Sequence, residues 1–137
     1  MAKADCPLCD LSKQEVVYED DHCFCTVILE PLKDGHLMIL PKRHVINLED
    51  LKPEESQSIL ELLTRLSKII PEIYSEDPII FMNLGKHSTQ PHTHFHILPS
   101  KGGLRDLFSN LEKIPKRVKA TPEELRKISK KIKIRLK

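Results

Sequence analysis

Three histidines at alternate positions constrain this chain more than any other feature of its sequence. His92, His94 and His96 are separated by Thr93 and Phe95. Successive side chains of a β-strand point to opposite faces, so a strand places the three imidazoles on one face. Burying neighbouring imidazoles without partners is costly, so the row indicates a metal site or acid–base and nucleophilic chemistry. The alternative is a row exposed on a hydrated face of a sheet.

The remaining patterns predict a small domain with an antiparallel sheet. At 137 residues with only 4% aromatics, the chain suits one domain with an aliphatic core. A helix is predicted over 53–70, because acids fill its first turn and apolar residues keep helical spacing, and Pro71 helps to end it. Strand patterns, with Cys23 and Cys25 as core residues, fall within Glu15–Leu29 (two strands), 35–41, 77–84 and 92–99.

Charge divides the chain at about residue 110. Residues 111–137 hold 11 lysines and arginines against 3 acids, whereas residues 1–110 hold 11 against 17. We therefore predict a domain over 1–110 and a basic extension over 111–137. A helix is expected to start at the capping residue Thr121. Its apolar edge would pack on the body or on a partner. Nucleic-acid binding is less favoured because no aromatics are interleaved, and we expect no membrane contact.

The N-terminal stretch carries a pair of cysteines at metal-binding spacing. Cys6 and Cys9 form a C-x-x-C turn, which is half of a tetrahedral zinc site. The alternative is two partly buried or frayed cysteines. No apolar stretch reaches the length of a membrane span and the N-terminus lacks an apolar signal segment, so we expect a cytoplasmic protein with reduced thiols.

The stretch HTHFHIL fits the His-x-His-x-His pattern of the histidine triad (HIT) superfamily. The upstream runs VVYEDD and DGHLMILPKRH also resemble that family, and the resemblance covers about residues 5–108. It implies an α+β fold with a five-stranded antiparallel sheet and a packed helix, here followed by a basic C-terminal helix. It further implies a homodimer that binds nucleotides and cleaves or transfers at the α-phosphate of phosphoramidates or dinucleoside polyphosphates.

The resemblance also assigns roles within the site. His94 is expected to be the nucleophile that forms a nucleotidyl-histidine intermediate, with His96 contacting the phosphate or leaving oxygen and His36 orienting the site. The candidate substrate-binding residues are Asn83, Ser88, Thr89 and Gln90. The family's zinc-containing branches imply a structural zinc, whose ligands here would be Cys6, Cys9, His44 and His92.

Two departures from the family pattern leave other functions open. Ile28 stands where many relatives carry an acid or amide that holds the ribose hydroxyls, and the loop before the triad is short. The first alternative is therefore a non-catalytic nucleotide-binding or scaffold protein of the same fold. The second is a nucleic-acid end processor that uses the basic tail.

Overall fold

A five-stranded antiparallel sheet forms the centre of the first part of the chain. The computed structural model describes residues 5–88, 90–114 and 118–136. The strands lie in the order β1-β2-β3-β5-β4, and every neighbouring pair is antiparallel. The predicted sheet and its initial meander are confirmed. The strands are β1 (Glu15–Glu19), β2 (Cys23–Val27), β3 (Leu37–Pro41), β4 (Asp77–Phe81) and β5 (Phe95–Ser100).

The long helix α1 (Pro53–Tyr74) covers one face of this sheet. Its buried side chains meet Cys23 and Cys25, so both cysteines are core residues, as predicted. The prediction that Pro71 helps to end the helix is wrong. Proline has no N–H to donate to the preceding turn, but its carbonyl can still accept, and Pro71 accepts a hydrogen bond from the N–H of Ser75 (3.0 Å). The helix ends where Ser75 adopts a left-handed conformation, with φ of 56°.

The last strand begins later than predicted. β5 starts at Phe95, so of the three alternating histidines only His96 lies in a strand. The β3–β5 ladder stops at the pair Ile39–Phe95. Immediately before it, the N–H of Thr93 donates to the carbonyl of Val45 (2.6 Å) instead. The segment carrying His92 and His94 therefore lacks the regular alternation of a strand.

The chain divides into two compact units, residues 1–101 and 102–137. The second unit contains α2 (Leu104–Glu112) and α3 (Pro122–Arg135). α3 begins as predicted, because the Thr121 hydroxyl accepts from the N–H of Glu124 (3.2 Å) and the Glu124 carboxylate accepts from the N–H of Thr121 (3.0 Å). α2 was not predicted. Within the described ranges, no helix has the length and apolar character needed to cross a membrane.

Gly35 brings the chain into β3 immediately before His36. Its φ is +90°, a conformation that side-chain-bearing residues rarely adopt. A Cβ at this position would lie 2.8 Å from the ring of Tyr74 and 2.9 Å from Cδ of Pro99. Both the backbone conformation and the packing therefore require glycine here.

We expect Gly35→Ala to lower the free energy of unfolding by about 2–4 kcal/mol, because strain at positive φ adds to the steric overlap. Urea denaturation monitored by circular dichroism measures the change. Two control variants separate the causes. Gly85→Ala, at φ of +63° with open space around it, should cost about 1 kcal/mol. Gly102→Ala, whose Cβ would make only an ordinary contact at 3.9 Å, should change stability by less than about 0.5 kcal/mol. Equal losses in all three would contradict the packing argument.

Candidate active site and metal-ligand cluster

A chain of hydrogen bonds sets the proton positions of two buried histidines. The N–H of Leu32 donates to Nδ1 of His36 (3.0 Å), so neutral His36 carries its ring proton on Nε2. That Nε2–H donates to Nδ1 of His96 (2.9 Å). Neutral His96 in turn carries its proton on Nε2. His36 and His96 therefore meet through a hydrogen bond, and the tautomers of both neutral rings follow from one backbone amide.

His94 is oriented by the backbone of its own segment. Its Nδ1–H donates to the carbonyl of His92 (2.8 Å), which leaves the lone pair of the neutral ring on Nε2. The ring centroids of His94 and His96 are 4.9 Å apart, with the ring planes at 74°. His94 is only 8% exposed. In its neutral form the ring therefore presents the Nε2 lone pair, as a nucleophilic imidazole requires.

Burial keeps the hydrogen-bonded pair neutral. Phe81 stacks on His96, with centroids 4.9 Å apart and planes at 9°. Desolvation lowers the pKa of His96 to about 4, and the neighbouring His94 and His36 add to the effect by charge repulsion. Desolvation also lowers the pKa of His36. Both rings therefore remain neutral at physiological pH and act as hydrogen-bond donors rather than as cations.

These side chains open into one cleft, which we call the histidine cleft, with a volume of about 520 Å³. Its lining includes an apolar wall at Ile28 and Leu29, and Phe81 lines it on the other side of the His36–His96 pair. Thr89 lies outside the described residues. The cleft is lined by six of the predicted site residues, namely His36, Asn83, Ser88, Gln90, His94 and His96.

Two contributors to the cleft were missed by the sequence analysis. Phe81 faces His96 because β4 and β5 pair in that register, and register is not readable from either strand alone. The amide of Leu32 is a backbone donor with no sequence signal. The apolar Leu32 does lie outside the predicted strands, shortly after Ile28 and Leu29 at the end of one, and this was the available indication of a ligand-facing wall.

A second group of side chains forms what we call the metal-ligand cluster: Cys6, Cys9, His44 and His92. Their ligand atoms all lie within 4.8 Å of one another. Nδ1 of His92 lies 3.6 Å from Sγ of Cys6 and 3.4 Å from Sγ of Cys9. Nδ1 of His44 lies 3.2 Å from Sγ of Cys9. The structure therefore brings together the four residues named as metal ligands.

Local structure explains how these four residues meet. The N–H of Cys9 donates to the carbonyl of Cys6 (3.1 Å), so a tight turn holds the two thiols side by side. Arg43 donates to both carboxylate oxygens of the buried Glu55 (2.8 and 3.0 Å), which fixes the loop carrying His44. Arg43 and Glu55 were not singled out from the sequence.

His92 belongs to the cluster rather than to the histidine cleft. Its Nε2–H donates to the carbonyl of Pro41 (2.8 Å), which directs the Nδ1 lone pair toward the two thiols. The prediction that His92, His94 and His96 share one face is therefore wrong for His92, because its segment is not a strand. Its carbonyl nevertheless orients His94, so one residue connects the cluster to the cleft.

We expect His96 to be neutral at pH 5.5 and to carry its proton on Nε2. An unperturbed histidine, with a pKa of about 6.5, would be roughly nine-tenths protonated there. In the unfolded chain this histidine has a pKa of about 6.5, whereas in the folded protein the pKa of His96 is about 4. The free energy of unfolding should therefore decline as pH falls between those values, because only the unfolded chain binds the proton there. Long-range ¹H–¹⁵N correlation spectra report both the charge and the tautomer.

His36→Phe provides the matched variant, because it keeps an aromatic ring but removes the donor to Nδ1 of His96. In that variant we expect His96 to lose its preference for the Nε2–H tautomer. A protonated His96 at pH 5.5 in the wild type, or a proton on its Nδ1, would show that the hydrogen-bond chain runs differently.

Comparison with known proteins places this fold in one family. The HIT domain family model matches residues 11–103. Adenylylsulfatase HINT3 of Arabidopsis thaliana is 33% identical over 104 residues, covering 71% of this chain and 53% of that protein. Bis(5'-adenosyl)-triphosphatase of Dictyostelium discoideum is 32% identical over 94 residues, covering 66% of this chain and 63% of that protein. The chain thus spans less than two thirds of either relative.

Solved structures match nearly the whole chain. A HIT family protein from Bacillus subtilis superposes with a TM-score of 0.73 at 22% identity, covering 97% of this chain and 98% of that one. A hypothetical protein from Leishmania major gives a TM-score of 0.71 at 26% identity, covering 97% and 96%. The α+β fold that the resemblance implied is confirmed, and the chain belongs to the HIT domain family.

Proposed function

We propose that this protein is a nucleotide hydrolase or nucleotidyl transferase that acts at the α-phosphate through His94. The observation that carries the proposal is the hydrogen bond from Nδ1–H of His94 to the carbonyl of His92, which leaves Nε2 unprotonated beside His96. A neutral imidazole of this kind is a good nucleophile near neutral pH. The relatives named as an adenylylsulfatase and a bis(5'-adenosyl)-triphosphatase support the same reaction class.

The reaction divides into two displacements. In the first, Nε2 of His94 bonds to the α-phosphorus while the bond to the leaving group breaks, and its electron pair departs with that group. In the second, water bonds to phosphorus, the electron pair returns to Nε2, and the water's proton passes to solvent or to the departed group. Nε2–H of His96 hydrogen-bonds a phosphoryl or leaving oxygen, and the donor Nε2–H of His36 holds His96 in that tautomer.

The apolar wall of the histidine cleft suits a nucleoside. Leu29 and Leu32 are 72% and 74% exposed, and Phe81 adds an aromatic surface. Ile28 lines the same cleft, so an aliphatic side chain stands where many relatives carry a ribose-binding acid or amide. We infer that the base and sugar bind here mainly by apolar contact. The relatives' names make adenosine compounds the first substrates to test.

We expect the wild-type protein to gain the mass of one nucleoside monophosphate during turnover, and His94→Ala to gain none. Loss of the nucleophile should lower kcat/KM by at least about 10³-fold. Intact-protein mass spectrometry and product assays on adenosine and guanosine phosphoramidates, dinucleoside polyphosphates and nucleotide sugars provide both readouts.

His22→Ala is the matched control, because His22 lies at the turn between β1 and β2 and does not line the histidine cleft. It should retain both the adduct and the activity. Product formation that survives in His94→Ala would exclude the covalent route. Tight mononucleotide binding with neither adduct nor product would favour the non-catalytic nucleotide-binding or scaffold protein.

We further propose that the metal-ligand cluster holds one structural zinc ion. Bonds of about 2.3 Å to sulfur and about 2.0–2.1 Å to nitrogen at tetrahedral angles give a sulfur–nitrogen separation of about 3.6 Å. The measured separations of 3.2, 3.4 and 3.6 Å approach this value. Two thiolates and two imidazoles fill four positions, so the ion would stabilise the fold by cross-linking the N-terminal turn, the loop at His44 and the segment at His92.

We expect the purified protein to contain about one zinc ion per chain, and Cys6→Ala to lose most of it. Because metal binding contributes directly to folding free energy, the melting temperature should fall by at least about 5 °C. Elemental analysis and differential scanning calorimetry measure the two effects.

Cys23→Ala serves as the control variant, since Cys23 is a buried core thiol outside the cluster. It should keep its zinc even where it loses some stability. Zinc retained by Cys6→Ala, or lost equally from Cys23→Ala, would argue against the ligand assignment.

We also propose a reducing compartment and a homodimeric partner for this protein. The four cysteines form no disulfide with one another, which suits a reducing compartment such as the cytosol. A homodimer is expected from the family resemblance. Nucleic-acid contact through the basic residues of 111–137 remains the less favoured alternative.

A further inference from the structure

A second cleft lies beside the histidine cleft and shares Asn83, Ser88 and Gln90 with it. Its volume is about 520 Å³, the same as that of its neighbour. Its opposite wall is the stretch 46–49, which follows the metal ligand His44. The two displacements at His94 described above make no use of this space.

The lining of the second cleft combines apolar surface with a single charge. Ile46, Leu48 and Leu84 are 54%, 37% and 52% exposed. Glu49 is the one charged side chain among the described residues that line the cleft. A carboxylate at the edge of an apolar wall suits a ligand with an alkyl body and a cationic end.

The wall that carries Glu49 is held in place by hydrogen bonds. Arg43 Nη2 donates to the carbonyl of Asp50 (2.9 Å), while the same guanidinium is paired with Glu55. Asn47 Nδ2 also donates to a carboxylate oxygen of Asp50 (3.1 Å). Both hydrogen bonds hold Asp50 at the end of the short 3₁₀ turn Leu48–Asp50, so this wall of the cleft is largely preformed.

We propose that this second cleft receives the leaving group of the substrate and selects a phosphoramidate whose amine carries an alkyl chain ending in a cation. The inference rests on the proposed function, because it places the α-phosphorus at His94. With the nucleoside against the apolar wall near Ile28, the other phosphorus substituent extends past the shared Asn83 and Ser88 into the second cleft.

The bond changes are those of a phosphoramidate hydrolysis. Nε2 of His94 bonds to phosphorus as the phosphorus–nitrogen bond breaks, and the leaving nitrogen takes the electron pair and a proton from water. A second water then restores His94 and yields the nucleoside monophosphate. The remote cation of the amine faces Glu49 throughout. The same carboxylate repels an anionic leaving group, such as the nucleotide released from a dinucleoside polyphosphate.

The test uses three adenosine 5'-phosphoramidates whose leaving amines have matched chain lengths: 1,5-diaminopentane, pentylamine and 5-aminopentanoate. At low ionic strength we expect kcat/KM to be about threefold to fivefold higher for the ammonium than for the neutral chain, and lowest for the carboxylate. Glu49→Gln should bring the three values together, and Glu49→Lys should reverse their order. Glu72→Gln, an exposed α1 residue outside the cleft, should keep the wild-type order.

The outcomes separate this inference from the proposed function. Turnover of all three compounds at equal kcat/KM, or an order unchanged in Glu49→Gln and Glu49→Lys, would overturn the leaving-group assignment while leaving the chemistry at His94 intact. The protein could instead turn over none of the three compounds and gain no nucleotidyl adduct from any compound of the wider panel. That result would overturn the proposed function and this inference with it.

Discussion

The hydrogen bond from Nδ1–H of His94 to the carbonyl of His92 is the interaction on which the rest of the site depends. It works only if the segment before β5 leaves the ladder, because a regular strand would direct that carbonyl to a neighbouring strand. The bond from Thr93 to Val45 and the contacts of the His92 ring hold the segment in its irregular path. The metal-ligand cluster is therefore part of what positions His94, the proposed nucleophile, although it lies outside the histidine cleft.

The second requirement is that buried imidazoles have partners. An unpaired ring nitrogen in a desolvated site costs roughly 1–3 kcal/mol, and His36 is only 2% exposed. The amide of Leu32 and Nδ1 of His96 satisfy both nitrogens of His36. Gly35 makes this geometry possible, since no side chain fits between Tyr74 and Pro99 where the chain enters β3. The packing of Gly35 against Tyr74 thereby helps to place His36, and with it the His36 tautomer, on the opposite face of the sheet.

The sequence patterns predicted the existence of most helices and strands better than the residues at which they begin and end. The alternation at His92–His96 marked residues that the structure gathers in the metal-ligand cluster and the histidine cleft. It also predicted all three rings on one strand face, because the pattern carries no information about where the ladder ends. Pro71 was predicted to help end the helix, but Ile70 packs in the core and the helix continues beyond Pro71. α2 went unpredicted even though its apolar residues recur at i, i+3, i+4 and i+7. The apolar residues with this spacing are Leu104, Leu107, Phe108 and Leu111.

The charge of the histidine cleft explains why neutral imidazoles suit a phosphate. Among the described residues that line it there is no lysine or arginine, and Glu30 is its one carboxylate. A bound phosphate would therefore be met by ring N–H donors and by Ser88, Asn83 and Gln90. Because Nδ1 of His96 accepts the Nε2–H of His36, His96 has no free lone pair for a further proton, and it meets a phosphoryl oxygen as a neutral Nε2–H donor. In the proposed displacement at His94, such fixed donors would bind the transition state more strongly than the free nucleotide, which is the differential binding that catalysis requires.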